Sequence, residues 1–171
     1  MSVARPLVTL LSVLTAAVLQ TALFPALTLF GFRPDLLLLV VLAIALREGP
    51  TSGAVWGALA GLLTDLLVTQ APLGLGVLVF TGVGYGVGQA RPYLAPGSVS
   101  APLLLAFVSG AIGTAGYGAL ASLLGEDRVT STLLLQASLA VALYNTLLAP
   151  IVFGVVRRLF ERFPRPSARV D

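Results

Sequence analysis

The sequence contains no cysteine, no histidine and no lysine. Without cysteine there is no disulfide, no thiolate nucleophile and no thiolate metal site, and the redox compartment cannot be read from the chain. Without histidine the commonest general base and the commonest metal ligand are missing. Without lysine a Schiff-base amine and a phosphate-loop lysine are excluded, and every positive side chain is arginine. Charge is scarce altogether: 10 basic and 7 acidic residues in 171, for a net +3. A soluble domain carries about a quarter charged residues. A chain this short with 57% hydrophobic residues has too few polar side chains to cover itself. A small soluble enzyme, a disordered tail and a nucleic-acid binder are therefore excluded. The pI of about 10.0 comes from scattered arginines that form no basic face with interleaved aromatics.

What is present is apolar length, with a mean hydropathy of +1.00. A membrane-spanning helix needs about 20 largely apolar residues. Uncharged runs cover 6–32, 36–46, 49–64, 66–90, 92–125 and 129–156. Proline and glycine punctuate them at Phe24-Pro25, Gly31-Phe32-Arg33-Pro34, Gly49-Pro50, Ala71-Pro72, Pro96-Gly97 and Pro102. Because proline opposes helix continuation, this pattern predicts helices at 6–29, 34–47, 51–69, 73–91, 101–124 and 131–160. The expected architecture is an all-α, polytopic, six-helix transmembrane bundle forming one domain over 1–163, followed by a disordered basic tail over 164–171. Arg5 and the apolar stretch after it resemble a signal peptide, but no good cleavage site follows, so the segment is read as an anchor.

The second helix is short. Fourteen residues rise about 21 Å, against a hydrocarbon core of about 30 Å. It is either a short helix in a protein-lined dip or one arm of a re-entrant hairpin with the third. Both keep the two termini on one side. That side collects Arg5, Arg47, Arg91, Arg157, Arg158, Arg162, Arg165 and Arg169, and the other holds Arg33 and Arg128. Arginine excess marks the cytoplasmic side, so both termini are expected to be cytoplasmic. Arg47 and Glu48 would lie near the inner turn and pair locally.

Glycine is abundant, at 18 residues, and patterned. Gly49, Gly53, Gly57 and Gly61 recur every fourth residue in the third helix, Gly84 and Gly88 in the fourth, and Gly110 and Gly118 belong to a small-residue series in the fifth. Small residues at this spacing let helix backbones approach in a bilayer. The pattern serves internal packing of the bundle or a face between molecules, so a homo-oligomer stays open. Alternate glycines from Gly74 to Gly88 surround the fourth helix and predict a kinked or pliable element.

Ionisable residues inside spans are the usual functional candidates. Asp65 lies inside the third helix, toward its outer end. Asp35 opens the second helix just after Pro34, where an acidic residue favours the helix dipole. For Asp65 three roles stand: a structural contact or helix cap, a partner or ligand contact, and ion coupling.

The ordered segments Arg33-Pro34-Asp35-Leu36-Leu37-Leu38-Leu39, Ala45-Leu46-Arg47-Glu48-Gly49-Pro50, Gly57-Ala58-Leu59-Ala60-Gly61-Leu62-Leu63-Thr64-Asp65-Leu66-Leu67 and Pro72-Leu73-Gly74-Leu75 resemble the MreD family of rod shape-determining proteins. Gln20-Thr21 and Phe24-Pro25 in the first span and the basic tail agree. The resemblance is strongest over 33–88 and rests on hydropathy alone after about residue 100. It implies a multi-pass protein of the bacterial inner membrane, a non-enzymatic scaffold of the cell-elongation machinery. It further implies binding to an MreC-like single-span periplasmic protein, and through it to MreB filaments and to RodA with its transpeptidase. No cofactor or metal and no nucleic acid is implied; membrane lipid is. The fold is expected to be similar to the six-helix S component of energy-coupling-factor transporters, which keeps a small-molecule transporter subunit as the alternative. Pro34, Asp35, Arg47, Gly61, Asp65, Pro72 and Gly74 are the matched positions expected to shape the bundle and an outward-facing polar site.

Overall fold

Leu36 to Ala45 is ten consecutive buried residues. An amphipathic surface helix cannot do this; a helix apolar on all sides must be surrounded. In the computed structural model this is α2 (Leu36–Glu48), the central element, which touches all of the other helices: α1 (Ala4–Ala22), α3 (Pro50–Leu67), α4 (Leu75–Ala90), α5 (Ser100–Leu123) and α6 (Ser131–Arg162). A short 3-10 turn at Arg91–Tyr93 extends α4. The structure describes residues 4–22, 31–67, 73–95, 97–125 and 130–163. Among these the chain is all-helical, and the helices run alternately between two ends. One end holds the starts of α2 and α4; the other holds the starts of α1 and α5 and the close of α6.

The helix limits fall within two residues of the sequence expectation wherever the chain is described. Asp35 caps rather than opens α2, so the helix begins at Leu36. Pro50 takes the first position of α3, where its missing N–H costs nothing. Pro150 lies inside α6 without ending it. The expected end of the first helix, Pro72 and the tail over 164–171 lie outside the described residues.

Three helices, α1, α5 and α6, are long and apolar enough to cross a membrane. α2 has 13 residues and α4 has 16, about 20 and 24 Å at 1.5 Å per residue. α2 is nevertheless enclosed by protein along most of its length. The outer surface is apolar. Leu135, Leu139, Leu143, Leu147, Ile151 and Val155 form an exposed stripe at four-residue spacing on α6, and Leu104, Val108 and Ile112 do the same on α5. Apolar stripes of this extent on the outside of a folded chain belong against lipid.

The glycine series pack α3 on α4. A methyl group at Gly53 would strike the carbonyl of Gly84, one at Gly57 the carbonyl of Phe80, and one at Gly61 the carbonyl of Gly76. Gly88 rests in the same way on Pro50. Each step of four along α3 is matched by a step of four back along α4, which is antiparallel packing at backbone contact. Gly110 faces Ala142, and Gly118 faces Leu134, so α5 and α6 repeat the arrangement more loosely. The helix α4 is unbroken from Leu75 to Ala90 despite these glycines. Its glycines divide between the α3 contact and, at Gly82 and Gly86, open space.

Candidate functional site

A helix start buried in protein inside a membrane has no water to satisfy its first N–H groups, and each one left open costs several kcal/mol. α2 meets this with side chains from three elements. The Asp35 carboxylate accepts from the Leu38 N–H at 3.0 Å. Gln20 of α1 accepts from the Leu37 N–H at 3.0 Å. Asn145 of α6, fully buried, accepts from the Asp35 N–H at 2.9 Å. The start of the central helix therefore ties α1 and α6 together. Pro34, buried just before it, fixes the approach of the chain.

α4 is capped from outside its own sequence. Its N-cap residue is Gly74, which has no capping side chain and sits at φ +104, where a Cβ would be strained. The Asp65 side chain, reaching over from α3 and only 2% exposed, supplies the cap. Its Oδ2 accepts from the Gly74 N–H at 2.8 Å and from the Val77 N–H at 3.4 Å; its Oδ1 accepts from the Gly76 N–H at 2.9 Å. A carboxylate at a helix N-terminus also complements the dipole. Of the roles open to Asp65, the geometry presents the helix cap.

Asp35 and Thr64 also line a cavity of about 520 Å³ at this end, with Phe32, Phe80, Thr114 and Tyr117. The Tyr117 hydroxyl is shielded from solvent and has no hydrogen-bond partner among the described residues. The volume is that of a small-molecule site.

Arg47 does not belong to this cluster. It lies at the opposite end, 3.6 Å from Glu161, and does not pair with Glu48. Adjacent helical residues diverge by about 100° and do not face each other. Glu48 instead pairs with Arg5 at 2.9 Å, with both side chains largely buried. Arg5 Nη1 donates to the carbonyls of Phe160 at 2.7 Å and Phe163 at 2.8 Å, and its guanidinium lies over the Phe160 ring at 3.6 Å. One arginine thus closes the last turn of α6 and joins it to the starts of α1 and the end of α2.

The structure brings Asp65 to Gly74 and Asp35 to the lining of the cavity; Pro34 is buried just before α2, and Arg47 lies apart from both groups. Sequence reading missed Asn145, Tyr117 and the bonding of Gln20. Their signal was polarity inside an apolar span, where such side chains turn inward. Among the described residues no three His, Cys, Asp or Glu side chains converge on a metal position.

A family model described as rod shape-determining protein MreD matches residues 1–160. Comparison with the curated proteins and with the solved structures finds no match to the chain.

Proposed function

The chain belongs to the MreD family of rod shape-determining proteins, and from that premise we propose that it is a membrane scaffold of the bacterial cell-elongation machinery. The family is one of shape determination and is not an enzyme family. In this reading the chain binds an MreC-like single-span periplasmic protein. Through that partner it couples MreB filaments to peptidoglycan synthesis by RodA and its transpeptidase. The carrying observation is the family match over nearly the whole chain. The use made of the embedded carboxylates supports it: Asp35 and Asp65 are both engaged with backbone N–H groups, which builds a rigid bundle rather than a proton path.

The same reading puts the protein in the inner membrane, multi-pass, as one domain with cytoplasmic termini. Arginine distribution supports this orientation. Arg5, Arg47, Arg91, Arg157, Arg158 and Arg162 lie at the end where α6 closes, and Arg33 lies at the other.

The test is extraction of the tagged chain from native membranes in mild detergent, together with its depletion from cells. Co-purification of a single-span, coiled-coil periplasmic protein and rounding of depleted cells is the expected result. A chain that purifies alone from cells that stay rod-shaped after depletion overturns the proposal.

The outer cavity favours a second reading, a small-molecule-binding subunit. Its volume and the unpartnered Tyr117 hydroxyl suit a ligand with a polar group. A thermal-shift screen with vitamin-like compounds separates the two, because a specific ligand raises stability in proportion to ln(1 + [L]/Kd).

A further inference from the structure

The end where α6 closes carries a second cavity, of about 540 Å³, with a predominantly polar wall. Three arginines from different elements line it: Arg5 at the start of α1, Arg47 near the end of α2, and Arg91 just after α4. Arg5 is committed to Glu48 and the α6 carbonyls. Arg47 has only a long contact to an exposed Glu161, which is shared with Arg157. Arg91 has no acidic partner among the described residues, and its charge, with that of Arg5, bears on Arg47. Described residues at this end therefore carry six arginines against Glu48 and Glu161. Like charges are held together in a cavity with too few counter-ions. Ser98, which bonds the first turn of α5, completes the polar side.

The remaining wall is apolar. Leu46 and Leu94 line the cavity, Tyr93 beside it is 89% exposed, and the lipid-facing stripe of α5 begins at Leu104. An exposed tyrosine next to arginines is the arrangement of a membrane–water interface. We propose that this cavity holds the phosphodiester headgroup of an anionic lipid from the leaflet at this end. The phosphate accepts from Arg91 and Arg47, and the acyl chains leave along α5. Basic pockets between membrane helices recognise anionic headgroups by this chemistry, and a planar guanidinium matches phosphate in a fork that an ammonium cannot make. The site stands independently of the partner-binding reading.

The experiment is thermal unfolding of the full chain in detergent with added phosphatidylglycerol, phosphatidylcholine or inorganic phosphate. Phosphatidylglycerol is expected to raise Tm, and the other two to leave it unchanged. Arg91→Gln should keep the lipid-free Tm and weaken phosphatidylglycerol binding by roughly tenfold, the weight of one charge-assisted hydrogen bond. Arg158→Gln removes the same charge from the same end outside the cavity and should bind as the parent does. Arg47→Gln serves as a second lining variant if Arg91→Gln does not fold. An equal shift with phosphatidylcholine, an equal shift with inorganic phosphate, or an equal loss in Arg158→Gln overturns the proposal.

Discussion

Gly53 and Gly84 face each other so closely that a Cβ on either would collide with the carbonyl oxygen of the other. The contact is one of a series that continues through Gly57 on Phe80 and Gly61 on Gly76. Lipid is as apolar as a leucine side chain, so burial alone does not drive two helices together in a bilayer; close backbone approach and hydrogen bonding do. The α3–α4 pair depends on the first of these along its length and on the second at its end, where Asp65 meets Gly74.

Gly53→Ala and Gly57→Ala should each destabilise the bundle by about 1–3 kcal/mol, the usual cost of overpacking where backbone rather than a flexible side chain must give way. Gly82→Ala, on the facing helix α4 but with no neighbour within 4 Å, should be neutral or stabilising by up to about 1 kcal/mol through helix propensity. Denaturant unfolding in micelles, followed by circular dichroism, measures all three. Equal losses at Gly57 and Gly82 would show that spacing rather than contact sets the cost.

The four-residue glycine spacing was legible in the sequence; its partner was not. Gly76, Gly84 and Gly88 share a face of α4, but alternation with Gly82 and Gly86 hides that face, and the pattern reads as pliability. The breakers at Pro34, Gly49-Pro50, Gly74 and Gly97 located the starts of α2, α3, α4 and α5 because proline and positive-φ glycine act locally. Asp65 was visible as an intramembrane carboxylate, yet its partner is a backbone N–H nine residues on, beyond a turn whose geometry the sequence does not specify. Asn145 and Arg5 bond across 110 and 155 residues, separations at which local pattern carries no information.

Asp65→Asn should cost about 1–3 kcal/mol. An amide keeps one acceptor oxygen and turns an NH2 toward N–H groups that need acceptors. Asp65→Leu, which leaves the α4 start uncapped, should cost more still. Hydrogen exchange gives the local readout: the Gly74, Gly76 and Val77 amides should lose protection before the rest of α4. Uniform loss across the bundle would mean that Asp65 acts on the fold as a whole rather than as a cap.

Gln20→Ala should destabilise by about 1–3 kcal/mol, because it strips the acceptor from the Leu37 N–H in a buried helix start. The adjacent Thr21→Ala should stay within about 0.5 kcal/mol, since that hydroxyl bonds back within α1 and faces outward. Melting temperatures of the two variants in one detergent make the comparison. A larger loss at Thr21 would remove the cap from the account of α1 docking.

Arg5 and Glu48 form a largely buried pair, but the two ends of it are not equivalent. Arg5→Gln removes a donor from Glu48 and from two α6 carbonyls, together with a cation stacked on Phe160, and should cost about 3–5 kcal/mol. Glu48→Gln leaves Arg5 with both carbonyls and the ring, so the expected loss is nearer 1–3 kcal/mol. Arg5→Lys should fall between, because a point charge keeps the attraction to Glu48 but not the planar fork or the stacking. The α6 end reports the difference directly: limited proteolysis near Phe163 should accelerate in the order Glu48→Gln, Arg5→Lys, Arg5→Gln. If Glu48→Gln matches Arg5→Gln in both stability and cleavage, the ion pair alone holds this end together. The carbonyl and ring contacts would then be incidental to it.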